Sequence, residues 1–263
     1  MKKSFSLLFI SLLALFVISC NQSEQQSDSN TESPVLTSTK VKTVMTKQMQ
    51  DALTPDAALK DLLEGNQRYV SGNMENRDLN AQISATTNGQ FPKAVILACI
   101  DSRVPVEYIF DQGVGDVFVA RVAGNIEDKD LLGSMEYGVA VAGSKVLMVM
   151  GHENCGAVKS AIKQVDVGSI NVDNLLAQIE PAIQNVEGER NYKDKAYFDH
   201  VIKENVSQTI ADIRKNSHIL SNLEKEGKVK IVGAYYSLTD GKVTLLDEHN
   251  HDHGHSHDHD HKH

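Results

Sequence analysis

Two apolar segments, each followed directly by side chains that bind metals, constrain the fold of this chain more than any other feature. The first, AVILA, is followed by Cys99, and the second, KVLMVMG, is followed by His152 and Cys155. Continuous apolar runs of this length are typical of strands buried on both faces of a parallel sheet. Because ligands bind beyond the carboxyl ends of such strands, we expect the three side chains to meet at one edge of the sheet.

The rest of the pattern indicates an α/β fold, a single domain over residues 47–247 with a mainly parallel central β-sheet flanked by helices. Hydrophobic residues make up 41% of the chain and aromatic residues 5%, so we expect an aliphatic core. A Thr-Pro-Asp sequence at Thr54 predicts a helix start, and Gly72 predicts its end. The predicted helices span 54–72, 105–111, 129–142, 156–165, 172–186 (interrupted by Pro181) and 192–215; the predicted strands span 93–98, 117–120, 145–150, 228–237 and 242–246.

The N-terminus predicts export. A short basic region precedes the apolar residues 5–18, which is the arrangement of a signal peptide over residues 1–20. The segment ends in VISC and resembles the lipobox of bacterial lipoproteins, in which Cys20 carries the lipid. An ordinary signal peptide cut near Ser19 and an uncleaved anchor are the alternatives. Residues 21–46 are rich in Ser, Gln, Asn and Thr and predict a flexible tether. We therefore expect a lipoprotein anchored in a membrane, periplasmic or associated with the outer membrane.

The C-terminal residues 248–263 form a second unusual segment, which carries eight of the eleven histidines, alternating mostly with Asp, Ser and Gly. Imidazoles and carboxylates suit zinc, nickel or copper, so we expect a tail that binds further metal ions. An expression tag is the alternative, although the alternation is unlike an engineered hexahistidine.

The charge of the chain excludes one class of partner. The formal net charge is -9, and Lys and Arg form no cluster. Nucleic acid binding needs a basic surface, so no nucleic acid partner is expected.

Two thiolates and one imidazole form a typical donor set for Zn²⁺. Asp101, two residues after Cys99, either completes the tetrahedron or leaves the fourth position to water. Arg103 can pair with Asp101 through two parallel hydrogen bonds and draw it away from the metal. The alternative is a disulfide between Cys99 and Cys155, since exported proteins commonly form them.

The sequence resembles the β-class carbonic anhydrases over roughly residues 50–247. The matching residues are Gln90, the CIDSRVP run from Cys99, GDVF from Gly115, Arg121, AGN from Ala123, GSMEY from Gly133, GHENCGA from Gly151 and GAYY from Gly233. In the family's RNxAN run this chain has Val122 in place of an Asn. It also has Ile96 where members inhibited by bicarbonate have a Trp. In this respect the chain resembles the subgroup whose zinc stays open near neutral pH.

The resemblance implies a role for each matched residue. Cys99, His152 and Cys155 become the zinc ligands, with Asp101 and Arg103 as the catalytic dyad and Asp101 as an alternative ligand. The implied substrate-binding residues are Gln90, Val104, Phe118, Tyr137 and Gly156, with Phe118 and Tyr137 often supplied by the neighbouring subunit in this family.

The resemblance also implies an activity. It is the reversible hydration of CO2 to bicarbonate and a proton by zinc-bound hydroxide, outside the cytoplasm and in a homodimer or a multiple of dimers. A carbonyl sulfide or carbon disulfide hydrolase of the same fold, and a non-enzymatic zinc-binding lipoprotein, are the alternatives.

Overall fold

The structure is a computed structural model and describes residues 43–247. The signal peptide, the lipidation of Cys20, most of the tether and the His-rich tail lie outside these residues and stay predictions.

A five-stranded sheet forms the centre of the fold. Its strands are β1 (Ala94–Ala98), β2 (Val117–Arg121), β3 (Val146–His152), β4 (Lys230–Tyr236) and β5 (Val243–Leu245). They lie in the order β2-β1-β3-β4-β5; the first four are parallel, and β5 runs antiparallel to β4. Every residue of β1 and β3 is buried, as expected for central strands covered on both faces. The predicted α/β fold with a mainly parallel sheet is confirmed.

Ten α-helices lie within the described part of the chain. They are α1 (Lys47–Ala52), α2 (Pro55–Ser71), α3 (Leu79–Thr86), α4 (Val106–Ile109), α5 (Lys129–Glu136), α6 (Gly156–Lys163), α7 (Ile170–Ala177), α8 (Glu180–Asn185), α9 (Lys195–Asn216) and α10 (His218–Lys225). A 3-10 turn, Ala123–Asn125, follows β2, and a π-helical turn, Tyr137–Val141, follows α5. No helix between residues 43 and 247 is long and apolar enough to cross a membrane.

Side chains that alternate along β1 pack into opposite helical layers. Ile96 lies in one apolar cluster with Leu62 of α2, while Leu97 lies in a second cluster with Val206 of α9. Burying an aliphatic side chain of this size contributes about 1.5–3 kcal/mol. These two clusters hold the sheet rigidly between helices, so the ends of β1 and β3 are fixed in position.

Most predicted elements are present, and the differences have local causes. The predicted helix 54–72 is α2, with the Thr54 hydroxyl accepting a hydrogen bond from the Ala57 amide. The predicted helix 129–142 changes to a π-helical turn after α5, where Gly138 lies against β1; a Cβ there would come within 2.4 Å of Val95. The predicted helix 172–186 is two helices, with Pro181 in the first turn of α8. Helices α1, α3 and α10 were not predicted.

Candidate metal centre

The candidate site lies where β1 and β3 end side by side. The chain leaves β1 to one side to form β2 and returns on the other side to form β3, so a crevice opens between the carboxyl ends of β1 and β3. Cys99 directly follows β1, and His152 is the last residue of β3. Asn154 adopts a left-handed backbone conformation, with φ 55°, in the turn that places Cys155 at the N-cap of α6.

These two strand ends bring three ligand atoms together. One donor atom from each of Cys99, His152 and Cys155 lies within 4.8 Å of the others, and all three residues are buried. Both cysteines are free, so the alternative, a disulfide between Cys99 and Cys155, is absent from the structure. The ring nitrogen His152 Nε2 is buried and has no hydrogen-bond partner. Because a buried polar atom normally has a partner, this nitrogen fits a metal ligand. The donor set therefore suits zinc.

The two thiols influence each other's protonation. The Cys155 thiol hydrogen-bonds to the Cys99 sulfur and thereby lowers the pKa of Cys99 to about 4. The same contact, together with burial, raises the pKa of Cys155 well above its usual value. Without a metal the pair therefore shares one proton. A divalent cation displaces that proton, because thiol ligands bind as thiolates.

The imidazole of His152 is held in one orientation. Its Nδ1 lies 2.9 Å from Glu153 O, so Nδ1–H donates to this carbonyl and leaves the Nε2 lone pair free to face the two sulfurs. The Glu153 carboxylate in turn accepts hydrogen bonds from Lys195 Nζ at 3.0 Å and from the amide and hydroxyl of Thr239. The hydrogen bond from Lys195 lowers the pKa of Glu153. This network fixes the turn that joins two of the ligands.

Asp101 lies beside the ligand cluster and is paired with Arg103. Arg103 Nε donates to Asp101 Oδ1 at 2.9 Å and Nη2 donates to Oδ2 at 2.8 Å, and the Arg103 amide donates to Oδ1 at 2.9 Å. These bonds hold the pKa of Asp101 well below its usual range, the side-chain bond from Arg103 being the largest cause. Asp101 Oδ2 lies 3.9 Å from His152 Nε2. The carboxylate is therefore ionised, oriented by Arg103 and next to a ligand atom.

The Cys99 segment is held by backbone hydrogen bonds. Gly124 N–H points to Cys99 Sγ at 3.4 Å. Arg121 donates from Nε to Cys99 O at 2.9 Å and from Nη2 to Asp101 O at 2.6 Å. The sequence motifs contained Arg121 and Gly124 but indicated no role for them. Their hydrogen bonds involve backbone N–H and C=O groups, which every position of a sequence offers alike.

The comparisons with known proteins agree with this geometry. Residues 94–243, more than half of the 263-residue chain, match a family model described as carbonic anhydrase. The chain belongs to the carbonic anhydrase family. Carbonic anhydrase 2 of Mycobacterium tuberculosis is 37% identical over 197 residues, which cover 73% of this chain and 93% of that protein.

Solved structures identify the class. A Coccomyxa β-carbonic anhydrase in complex with acetazolamide superimposes with a TM-score of 0.57 at 25% identity, covering 72% of this chain and 86% of that one. One of the tetrameric β-carbonic anhydrases from Sordaria macrospora shares the fold, with a TM-score of 0.54 at 22% identity and coverage of 64% and 90%. The predicted membership of the β class, and with it the prediction of a carbonic anhydrase enzyme, is confirmed.

Two of the predicted substrate-binding residues lie next to the ligands of this carbonic anhydrase. Val104 is fully buried, and its amide donates to Asp101 O at 3.1 Å. Gly156 directly follows Cys155, is exposed and is the first residue of α6, and a Cβ added there would meet no atom within 4 Å. Gly156 therefore borders the open space beside Cys155, whereas Val104 is joined to Asp101 by its backbone amide and packs in the core.

The other three predicted residues lie at the opposite end of the sheet within one protomer. Phe118 pairs in register with Val95, four residues before Cys99 and thus about 13 Å away along the strand. Phe118 and the 58% exposed Tyr137 line an open groove of about 630 Å³ beside β2. Gln90 is exposed and precedes the amino end of β1. Their role in substrate binding stays a prediction, because a single chain does not bring them to the ligands.

The two departures from the family pattern lie in apolar surroundings. Val122 is half-buried, packs against the apolar cluster that contains Cys99 and Cys155, and donates its amide to Ala98 O at 3.1 Å. Ile96 is fully buried in the middle of β1. Neither substitution alters a candidate ligand.

Proposed function

We propose that this carbonic anhydrase is a zinc enzyme that hydrates CO2 reversibly to bicarbonate and a proton outside the cytoplasm. Its metal is held by Cys99, His152 and Cys155. The observation that carries the proposal is the buried cluster of these three donors within 4.8 Å, in which His152 Nε2 has no protein partner.

Zinc in such a site lowers the pKa of a bound water from about 15.7 towards neutrality, which supplies a nucleophile for CO2. The protein contributes the three ligands and the hydrogen bonds that hold them in place. Cys99 and Cys155 carry the negative charge that retains the cation, and His152 is fixed in the required tautomer by Glu153 O. Three protein ligands leave a fourth position available, which is the pattern of catalytic rather than structural zinc.

Asp101 and Arg103 orient the attacking water. Asp101 remains ionised at neutral pH, and its Oδ2, 3.9 Å from His152 Nε2, would accept a hydrogen bond from a water molecule bound beside the ligand cluster. Such a hydrogen bond would direct the water's remaining lone pair away from Asp101 and towards the carbon of CO2. Arg103 occupies both carboxylate oxygens, which keeps Asp101 from becoming a fourth ligand. The observed pairing supports a site open to water, in agreement with Ile96 in place of Trp.

Gly156 contributes to the substrate space within the protomer. The amide of Gly156 lies in the first turn of α6, where backbone N–H groups lack a partner within the helix and attract anions. This amide is suited to an oxygen of bicarbonate. A contact of Val104 with CO2 stays a prediction, because this side chain is fully buried within one protomer.

A second subunit supplies the rest of the pocket. Gln90, Phe118 and Tyr137 lie far from the ligands of their own chain, yet Tyr137 and the neighbouring Val141 are 58% and 69% exposed. Exposed aromatic and aliphatic side chains beside an open groove are typical of an interface. The Sordaria macrospora relatives are tetrameric. We therefore propose a homodimer, or a multiple of dimers, in which these residues reach the partner's site.

Mixing two variant chains tests this assembly. A Tyr137→Ala chain and a Cys99→Ser chain are each expected to be poorly active, one lacking the pocket residue and the other a ligand. If a dimer shares its sites, a mixed dimer has one site that lacks both groups and one site that is intact, so refolding the two together restores activity. Light scattering gives the oligomeric state. A fully active monomer would contradict the proposal.

Metal removal tests the zinc dependence. Dialysis against a chelator should abolish CO2 hydration, and one equivalent of Zn²⁺ per chain should restore it in the protein that ends at Asp247. Equal CO2 hydration before and after complete removal of the metal would refute the zinc role. Assaying carbonyl sulfide and carbon disulfide in parallel compares the rates on the linear analogues with the rate on CO2.

The location outside the cytoplasm rests on residues 1–46 alone. We propose that Cys20 carries the lipid and that the following residues tether the enzyme to a membrane, on the periplasmic side or at the outer membrane. Labelling cells with a radioactive fatty acid should mark the parent protein but not Cys20→Ser, which should be released from the membrane fraction. Equal membrane retention of both proteins would contradict the lipid anchor.

The histidines of residues 248–263 are proposed to bind further metal ions. Titration with Zn²⁺ should then show more than one equivalent bound by the full chain and a single equivalent bound by the chain ending at Asp247. Equal stoichiometry would exclude a metal-binding tail.

A further inference from the structure

A buried amide on α9, the longest helix among residues 43–247, contacts the turn that supports Cys99. Asn205 of α9 is fully buried, and its neighbours on the helix, Ile202 and Val206, belong to the apolar clusters. Its Nδ2 donates to Gly124 O at 2.8 Å, a contact between residues 81 positions apart. A polar side chain in such a place needs a specific partner, because burying an amide without one is unfavourable.

Gly124 is the link between Asn205 and the metal centre. It lies in the 3-10 turn after β2 with φ 74°, a left-handed conformation that favours glycine. A Cβ at this position would approach Ile179 Cδ1 to 2.8 Å and Ala157 Cβ to 3.3 Å. Gly124 has no side chain to anchor it, so its backbone groups fix its orientation. The carbonyl is held by Asn205 Nδ2, and the amide points to Cys99 Sγ at 3.4 Å.

We propose that Asn205 is a positioning residue for the metal centre: by holding Gly124 O, it directs the Gly124 N–H at the sulfur of Cys99. This inference rests on the proposed zinc function. A hydrogen bond to a ligand sulfur withdraws electron density from the thiolate and orients it, and residues of this kind tune metal affinity and reactivity. Asn205 touches neither metal nor substrate, so its effect is transmitted through the two peptide groups that meet at the Cα of Gly124.

Two substitutions on α9 separate positioning from stability. Asn205→Leu keeps a similar size and removes the donor to Gly124 O. Thr209→Val, one turn further along, removes a buried hydrogen bond of equal length, from Thr209 Oγ1 to Asn205 O at 2.8 Å, and leaves Gly124 untouched. Both variants are loaded with Co²⁺, and the thiolate-to-cobalt charge-transfer absorption is recorded. The affinity for Zn²⁺ is measured by competition with a chromophoric chelator.

Asn205→Leu should move the charge-transfer band to lower energy and weaken Zn²⁺ binding about tenfold. Thr209→Val should change neither. A folded Asn205→Leu protein with the parent's spectrum and affinity would overturn the inference while leaving the zinc proposal intact. A parent chain that binds neither ion at Cys99 would overturn the zinc proposal itself.

A measurement on the parent protein needs no variant. In protein loaded with cadmium-113, NMR should detect a coupling between the Gly124 amide proton and the metal, transmitted through the hydrogen bond and the Cys99 sulfur. A bound cadmium ion without that coupling would refute the role of Gly124, and with it that of Asn205, even if Asn205→Leu failed to fold.

Discussion

Replacing Arg103 with Ala separates metal binding from catalysis. The substitution removes the two side-chain hydrogen bonds to Asp101, at 2.8 and 2.9 Å, and leaves only the bond from the backbone amide. Hydrogen bonds to charged groups contribute about 1.5–3 kcal/mol each. Arg103 is 54% exposed, so we use the lower value and obtain about 3 kcal/mol for the orientation of Asp101. At 1.4 kcal/mol per factor of ten, CO2 hydration should fall about a hundredfold.

The assay is stopped-flow CO2 hydration, with zinc content and urea unfolding measured on the same samples. Arg103→Ala should retain zinc and lose up to about 3 kcal/mol of unfolding free energy, the value of the same two hydrogen bonds. Arg214→Ala is the matched control, since Arg214 makes the same pair of bonds to Glu224 at 2.9 and 2.8 Å far along α9. The control should lose similar stability and no activity. Full activity in Arg103→Ala would refute the role assigned to the dyad.

Three further predictions follow from the same geometry. Cys155→Ser should lose zinc and lower the thermal midpoint, as measured by metal analysis and calorimetry; a stable, zinc-replete variant would show that the ligand set is wrong. Gly124→Ala should destabilise the fold by about 1–3 kcal/mol in urea unfolding, because its Cβ would approach Ile179 at φ 74°; an unchanged midpoint would contradict this packing. Burial opposes the ionisation of Asp111, but hydrogen bonds from Arg68 and Arg77 lower its pKa below the usual value. This stabilisation is present above the unfolded pKa of about 3.9 and is lost as pH falls below it. Asp111→Asn should therefore flatten the decline of unfolding free energy in acid. A decline in the variant parallel to that of the parent protein would contradict the assignment.

The ligand cluster could be predicted from the sequence because its geometry follows from two local facts. Strands AVILA and KVLMVMG are apolar enough to be central, and parallel central strands end at the same edge of a sheet. Cys99 and His152 are therefore expected at the same edge of the sheet, and the pairing of β1 with β3 brings them together. The turn with Asn154 then adds Cys155. The α/β fold followed from the same alternation of strands and helices.

The supporting contacts could not be predicted, because they connect distant backbone groups. Nothing in the sequence around Asn205 indicates that its amide would meet a carbonyl 81 residues away. Its position among apolar residues of α9 was the only available signal. Helix α3 was missed because it lacks the apolar stripe by which a helix is recognised in a sequence. Its large apolar residues, Leu79 and Ile83, are exposed in the structure. The strand order, which places Phe118 and Gln90 away from their own ligands, depends on the path of the whole chain.

The most direct test of the central claim is stopped-flow CO2 hydration by the chain ending at Asp247, measured across pH with zinc content determined on each sample. If Cys99, His152 and Cys155 hold the catalytic metal, the hydration rate should rise with pH as the water becomes deprotonated. At each pH it should also be proportional to bound zinc, up to one ion per chain. Rapid hydration by protein free of metal, or one tightly bound zinc per chain without hydration at any pH, would contradict the account.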